Sequence, residues 1–255
     1  MSAAGYYESG ALLAQYLLFH YGDAGEISPH APAPPGSLEF PARCAALCIE
    51  STPESHRRRA LDLGCAVGRA AFELTRACDE VLGIDFSKLF VDASQALKRD
   101  GRLPYRLPVE GDISLPSLAR VPQGLRRDAA RFERGDACDL RADIGSFGLV
   151  LMANLLDRLA DPGACLARLP SLVEPGGTLV ITTPCTWMSQ FTPREKWLGG
   201  RLADGGPLRT GDALRDALAP HFEPVASQDM PFLIREHARK FQWSIALTTI
   251  WRRKG

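Results

Sequence analysis

An excess of charge of either sign is missing from this sequence. Its 255 residues carry 30 Lys and Arg against 30 Asp and Glu, so the formal net charge at neutral pH is zero. The electrostatic footprint of a nucleic-acid binder is therefore absent, and Arg57–Arg59 and Arg126–Arg127 read as short basic runs on solvated loops. No apolar stretch approaches the ~18 residues of a membrane span. Residues 1–10 have no basic segment followed by an apolar one, so no secretory signal is expected. Cysteine is too sparse for a disulfide scaffold: the seven residues are odd in number and scattered. Cys44 and Cys48 stand four apart, but no nearby His or further Cys completes a zinc site, so no bound metal is expected. Reduced, buried thiols in a cytoplasmic protein are the expectation. Internal repeats and low-complexity tracts are also lacking.

What remains is an ordinary globular composition, 45% hydrophobic and 24% charged. A chain of this length buries about three quarters of its unfolded surface, enough for one large core. Residues 7–21 place Leu12, Leu13, Tyr16, Leu17 and His20 at helical spacing, and Gly22 stops the helix. A Pro-rich loop precedes a second apolar helix around residues 40–50. Residues 1–55 thus read as a helical cap ahead of a core at 56–255. From Arg59 onward, short apolar runs at 59–63, 80–85, 131–136, 147–153 and 177–183 alternate with helical patterns. This alternation is that of an α/β fold with a parallel sheet. Pro104, Pro108, Pro116, Pro122 and Gly124 punctuate 101–130, which reads as an inserted excursion on the edge of the sheet, shaped as a hairpin. Residues 222–234 and 241–252 suit an antiparallel hairpin closing the sheet.

The segment LDLGCAVGRAAFEL (61–74) is a strand ending near Asp62, a turn containing Gly64, Cys65 and Gly68, and then a helix. Gly64 allows a sharp turn and close ligand approach, and the helix start offers free amides. The spacing is D-x-G-x-x-x-G and not the G-x-G-x-x-G that admits a pyrophosphate, which disfavours a nicotinamide dehydrogenase. Asp85, followed by Phe86, ends the next strand 21 residues after Gly64, where a carboxylate can accept both hydroxyls of a ribose. Asn154 lies just past the carboxyl end of the fourth strand, where open α/β sheets bind ligands.

The first of these motifs resembles that of the S-adenosylmethionine-dependent methyltransferases of the Rossmann-like class. The resemblance implies a seven-stranded, mostly parallel sheet with an antiparallel last strand. It also implies that Asp136 and Ala137 hold the adenine edge, beside the ribose position at Asp85. Gly148 departs from the acidic residue that often starts the fourth strand. Longer stretches are similar to one family within that class, the 4-mercaptohistidine N1-methyltransferases, the module commonly fused behind the sulfoxide synthase of ovothiol biosynthesis. They include YYESGALLAQYLLFHYG, ITTPCTWMSQFTPREKWLGG and PFLIREHARKFQWSIALTTIWRR. The resemblance implies methylation of the side-chain-proximal imidazole nitrogen of 5-thiohistidine to ovothiol A. With Met1 at the start and five scattered His, a stand-alone methylating form is expected, linked functionally to a separate sulfoxide synthase and lyase.

An imidazole with a reference pKa of about 6.5 presents a lone pair at neutral pH, so no strong base is obligatory. A zwitterionic acceptor calls for an Arg fork and a carboxylate or tyrosine-lined pocket. Arg235, Glu236 and Arg239 supply both signs. Tyr6, Tyr7, Tyr16 and His20 are candidates from the leading helix acting as a lid, and Trp187 from the loop after the fifth strand. His20 and Asn154 are the expected catalytic positions. Histidine, another imidazole or a phenol as acceptor, and a non-catalytic cofactor-binding module, are the competing readings.

Overall fold

The structure is a computed structural model and describes residues 7–203 and 205–255. Tyr6 lies outside the described residues. In chain order the helices are α1 (Gly10–Tyr21), α2 (Ala24–Ile27), α3 (Phe40–Ser51), α4 (Arg69–Leu74), α5 (Lys88–Asp100), α6 (Pro162–Leu172) and α7 (Thr210–Leu218). The strands are β1 (Arg59–Leu63), β2 (Glu80–Asp85), β3 (Arg102–Glu110), β4 (Ile113–Arg120), β5 (Ala130–Arg134), β6 (Phe147–Ala153), β7 (Val173–Thr183), β8 (Arg201–Ala203), β9 (Gly206–Leu208), β10 (Phe222–His237) and β11 (Lys240–Arg253).

Seven strands form the main sheet in the order β5-β2-β1-β6-β7-β11-β10. The first five are parallel, and β11 enters antiparallel between β7 and β10. Both faces are buried, because alternate residues of the central strands feed two separate cores. Ala60, Leu149, Leu151 and Val180 pack beneath residues of α1, α3, α4 and α5. Leu61, Leu63, Val150, Met152 and Ile181 pack against α6 and α7 on the other face. This two-sided burial explains why β6 reads as a continuous apolar run. The helix α3, grouped with the cap in the sequence reading, lies on the sheet beside α4 and β6.

The excursion at 101–130 does contain a hairpin, but not on the edge of the main sheet. β3 and β4 pair only with each other and lie against α1, α5 and β10. Pro104, Pro108 and Pro116 sit within these strands and remove the N–H donors that a further strand would need. The last two strands form a long ribbon whose far half outruns β7. Residues 247–252 of β11 pair with β7, while residues 240–246 pair only with β10 and project as an arm. At the arm's tip Ala238 N–H donates to the Val109 carbonyl of β3.

Gly148 has a structural cause. A Cβ built there lies 1.9 Å from the His56 carbonyl oxygen, so this point of β6 admits no side chain, acidic or otherwise. Gly148→Ala is expected to lower stability by about 1–3 kcal/mol through overpacking against backbone. Thermal unfolding checks this, at roughly 2–4 °C per kcal/mol for a domain of this size.

Candidate active site

A cavity of about 940 Å³ opens at the carboxyl ends of β1, β2 and β6. Its floor is the turn after β1. Gly64 and Gly68 both have positive φ, 80° and 83°, which glycine adopts without strain. A side chain at either would collide, with Leu155 at 2.9 Å or Phe132 at 2.8 Å. Gly68 caps α4 from below the cavity, while Gly64 and Cys65 line it. The Gly64 and Cys65 amides both donate to the Ile84 carbonyl, locking the turn to β2. Cys65 is buried, which pushes its thiol far above the ordinary range and leaves it unreactive.

Asp85 ties two loops together. One carboxylate oxygen accepts the Ala66 amide at 2.9 Å and the other accepts the Ser87 amide at 2.9 Å. Each oxygen keeps a further lone pair for a ligand diol. Burial pushes Asp85 up to about 6, against the pull of these two amides. Asp62 is 1% exposed and has one oxygen, Oδ2, with no hydrogen-bond partner among the described residues. Burial, with Asp85 nearby, raises its pKa to about 7. Phe86 is exposed on the cavity wall, with Arg134 stacked 5.4 Å from its ring centroid. Asp136 and Ala137 line the same end, and Asp136 accepts the Cys138 amide at 2.8 Å. All the expected cofactor positions except Gly68 therefore line one cavity. An orphan buried carboxylate oxygen fits an ammonium group, and the half-satisfied Asp85 fits a ribose.

The other half of the cavity is roofed by α1 and the ribbon arm. Ser9 caps α1 by accepting the Leu12 amide. The helix is stitched to the glycine turn: Tyr21 O–H donates to the Val67 carbonyl at 2.8 Å, and Arg69 donates to the His20 carbonyl at 2.8 Å. Glu8 accepts the Lys88 amide at the start of α5, and Tyr7 and Tyr16 pack edge-on and tilted against Phe90. Tyr7, Tyr16 and His20 all line the cavity. His20 is buried with Nδ1 unpartnered among the described residues, and burial together with the Arg69 guanidinium pushes it down to about 3. It is a neutral imidazole at physiological pH. Asn154 takes a positive φ of 52°, accepts the Thr182 hydroxyl through Oδ1 at 2.8 Å, and keeps its amide N–H₂ as a donor for the cavity.

Four expectations for the acceptor are corrected. Trp187 is buried away from this cavity, its indole N–H donating to the Thr210 hydroxyl at 2.9 Å. Arg235 points to the opposite side of β10 from its lining neighbours Phe232 and Ile234, and bonds the Glu26 carbonyl. Glu236 is engaged by Lys240 and Gln242, and Arg239 sits at the ribbon's turn outside the cavity. In their place stand residues that the sequence reading missed. Arg158 lines the cavity, with Nη1 bonded to Asp157 and the Thr186 carbonyl and its guanidinium 5.0 Å from the Phe191 centroid. Trp243 lines it from the arm and is 55% exposed. Its indole was readable only as a residue of a β-rich tail. Among the described residues, no three of His, Cys, Asp and Glu group as metal ligands.

Residues 61–181 match the family described as Methyltransferase domain. The ubiquinone biosynthesis O-methyltransferase of Alkalilimnicola ehrlichii is 27% identical over 161 residues, covering 62% of this chain and 52% of that protein. The chain thus spans about half the length of that relative. Among solved structures, the [4+2]-cyclase SpnF superposes with a TM-score of 0.59 at 17% identity, over 100% of this chain and 97% of that one. N-methyltransferase NodS from Bradyrhizobium japonicum WM9, in complex with S-adenosyl-L-homocysteine, gives 0.54 at 14% identity over 97% and 100%. At such identities the likeness is one of fold, and that fold serves both a methyltransferase and a cyclase.

A ribose held by Asp85 requires the ionised carboxylate, so protonation competes with binding. Affinity for S-adenosylhomocysteine is expected to be level above pH about 7 and to fall below it as Asp62 takes up a proton. The fall steepens below about 6 as Asp85 follows, each group contributing roughly tenfold per unit while only the free protein is protonated. Asp85→Asn keeps the side-chain shape and removes the steeper part of that fall. Loss of a charge-assisted bond weakens binding by about 1.5–3 kcal/mol, roughly ten- to a hundredfold. Calorimetric titration across pH checks both.

Proposed function

We propose that this protein, whose residues 61–181 match the family described as Methyltransferase domain, is an N-methyltransferase of Rossmann-like, class I fold whose cofactor is S-adenosylmethionine. Its acceptor is the side-chain-proximal imidazole nitrogen of 5-thiohistidine, and its product is ovothiol A. The observation that carries the reading is the chemistry of the acceptor half. The carboxylates lining the cavity, Asp62, Asp85 and Asp136, all stand at the cofactor end, and His20 is held neutral with a pKa of about 3. A phenol, with a reference pKa of about 10, needs a base to become a good nucleophile, whereas an imidazole brings its own lone pair. A nitrogen acceptor therefore suits this site better than an oxygen one.

Bound S-adenosylmethionine supplies an activated methyl group on a sulfonium. The protein's part is alignment, which supplies on the order of 7–11 kcal/mol in favourable intramolecular systems. Tyr16, Phe191 and Trp243 offer faces for a planar ring. His20 Nδ1 and the Asn154 amide are the polar groups that select between the two ring nitrogens, each as a hydrogen-bond partner and neither as a strong base. Arg158, with Nη1 already committed, presents its remaining N–H groups to the acceptor carboxylate. In this reading the acceptor comes from a separate sulfoxide synthase and lyase. The protein works in a reducing cytoplasm, in keeping with seven free thiols. No helix among the described residues is long and apolar enough to cross a membrane.

Mass spectrometry of methyl transfer to 5-thiohistidine, with histidine and a phenol as competitors, tests the assignment. The methyl is expected on the side-chain-proximal nitrogen, and a clear preference for histidine or the phenol overturns the acceptor. Trp243→Ala is expected to raise the acceptor KM by roughly three- to tenfold, the value of about 0.5–1.5 kcal/mol for an aromatic contact, with cofactor affinity unchanged. Arg235→Ala is expected to lower the thermal midpoint and leave the acceptor KM alone, because Arg235 braces the Glu26 carbonyl and not a ligand.

A further inference from the structure

A second cavity, of about 870 Å³, opens between α7, the β8–β9 hairpin and the first half of the β10–β11 ribbon. It shares no lining residue with the first. The loop after β7 is the wall between them, with Pro184 and Thr186 on one side and Cys185 on the other. Arg194, Arg201, Arg209 and Arg215 all line this second cavity, against one lining carboxylate, Asp212, already paired with Arg215 at 3.3 Å. Among the described residues the other three arginines form no ion pair. Such a concentration of positive charge stands out in a chain whose 30 basic and 30 acidic residues cancel.

The rest of the wall complements the arginines. The first turn of α7 borders the cavity at Thr210 and Gly211, and its preceding residue, Arg209, makes no side-chain capping bond. The Thr210 amide is packed against Gly199, so the polar recognition in this cavity falls to the guanidinium groups. The Trp187 indole fixes this helix start by donating to Thr210. Beneath the charges the lining is apolar, with Leu208, Val225, Leu247 and Trp251. Val225 is half-exposed, without a covering partner. Unpaired guanidinium forks above an apolar floor, in a concave site within the roughly 300–1,000 Å³ range of small-molecule pockets, describe one ligand chemistry.

We infer that this cavity is a second binding site, for a small organic anion with a phosphate or carboxylate head and an apolar body. Guanidinium groups of Arg201 and Arg209 take the head, and the Val225–Leu247 floor takes the body. The 193–211 segment, which supplies much of this lining, contributes no lining residue to the first cavity.

The test is calorimetric titration of the full chain, preloaded with S-adenosylhomocysteine so that the first cavity is filled. The probes are phenyl phosphate, inorganic phosphate and benzyl alcohol. Phenyl phosphate is expected to bind saturably in the millimolar range or below, and at least about tenfold more tightly than either fragment. The double variant Arg201→Ala/Arg209→Ala is expected to weaken it by about tenfold or more, as is Val225→Asp. S-adenosylhomocysteine affinity, measured separately on each variant, reports an intact fold and is expected to be unchanged. Absence of saturable phenyl phosphate binding, equal binding by the double variant, or equal affinity for inorganic phosphate overturns the proposal. Binding of an acidic peptide with none of phenyl phosphate would assign the face to a protein partner and also overturn it.

Discussion

Two neighbouring carboxylates at the carboxyl ends of β1 and β2, Asp62 buried and Asp85 half-buried, constrain everything built around the cavity. Burying a charge in apolar surroundings is costly unless it is hydrogen-bonded, and the group otherwise takes up a proton. Asp85 meets this constraint with the Ala66 and Ser87 amides, which fixes the glycine turn and the α5 cap relative to each other. Asp62 meets it only in part, since one oxygen lacks a partner. The strained φ of 46° at Ala66 follows from the same demand, because that backbone must turn its N–H toward Asp85. The turn is preorganised for a ligand by the protein's own need to solvate its acids.

The roof follows from the floor. α1 is held by Tyr21 on Val67 and by Arg69 on the His20 carbonyl, both contacts to the glycine turn. Arg69 also pairs with the buried Glu73 at 2.8 Å, which holds the guanidinium in place beside His20. Closing the site with a helix anchored on the cofactor turn couples the two halves. Whatever orders the turn also orders Tyr16 and His20 in the cavity wall.

The cofactor half was legible in the sequence because it is local. A strand, a glycine turn and a helix start occupy one run at 61–74, and the partner carboxylate ends the very next strand. The seven-stranded sheet was legible for the same reason, as contiguous runs with a clear period. The acceptor half is assembled from residues 7–20, 154–158, 184–191 and 232–244, which meet only in three dimensions. Arg235 was chosen for its charge, but strand alternation decides its direction. Phe232 and Ile234 face the cavity, so Leu233 and Arg235 face α2 and the β3–β4 hairpin. Trp187 failed similarly, one residue beyond the lining Thr186.

The match to a methyltransferase domain covers residues 61–181, so the residues of α1, of the loop after β7 and of the ribbon arm that line the cavity lie outside it. The loop that follows is organised around Asp157, fully buried, which accepts the Thr183 hydroxyl at 3.2 Å and the Thr186 amide at 2.9 Å while pairing with Arg158 at 3.0 Å. Arg158 therefore lines the first cavity only as long as this loop keeps its shape. The same loop carries Cys185 into the wall of the second cavity and Trp187 onto the start of α7. Replacing the loop would move Arg158 and the second cavity together while leaving Asp62, Asp85 and Asp136 where they are. The domain match thus holds the end of the cavity built on Asp62, Asp85 and Asp136, while α1, the loop after β7 and the ribbon arm, which close its other half, lie outside the match.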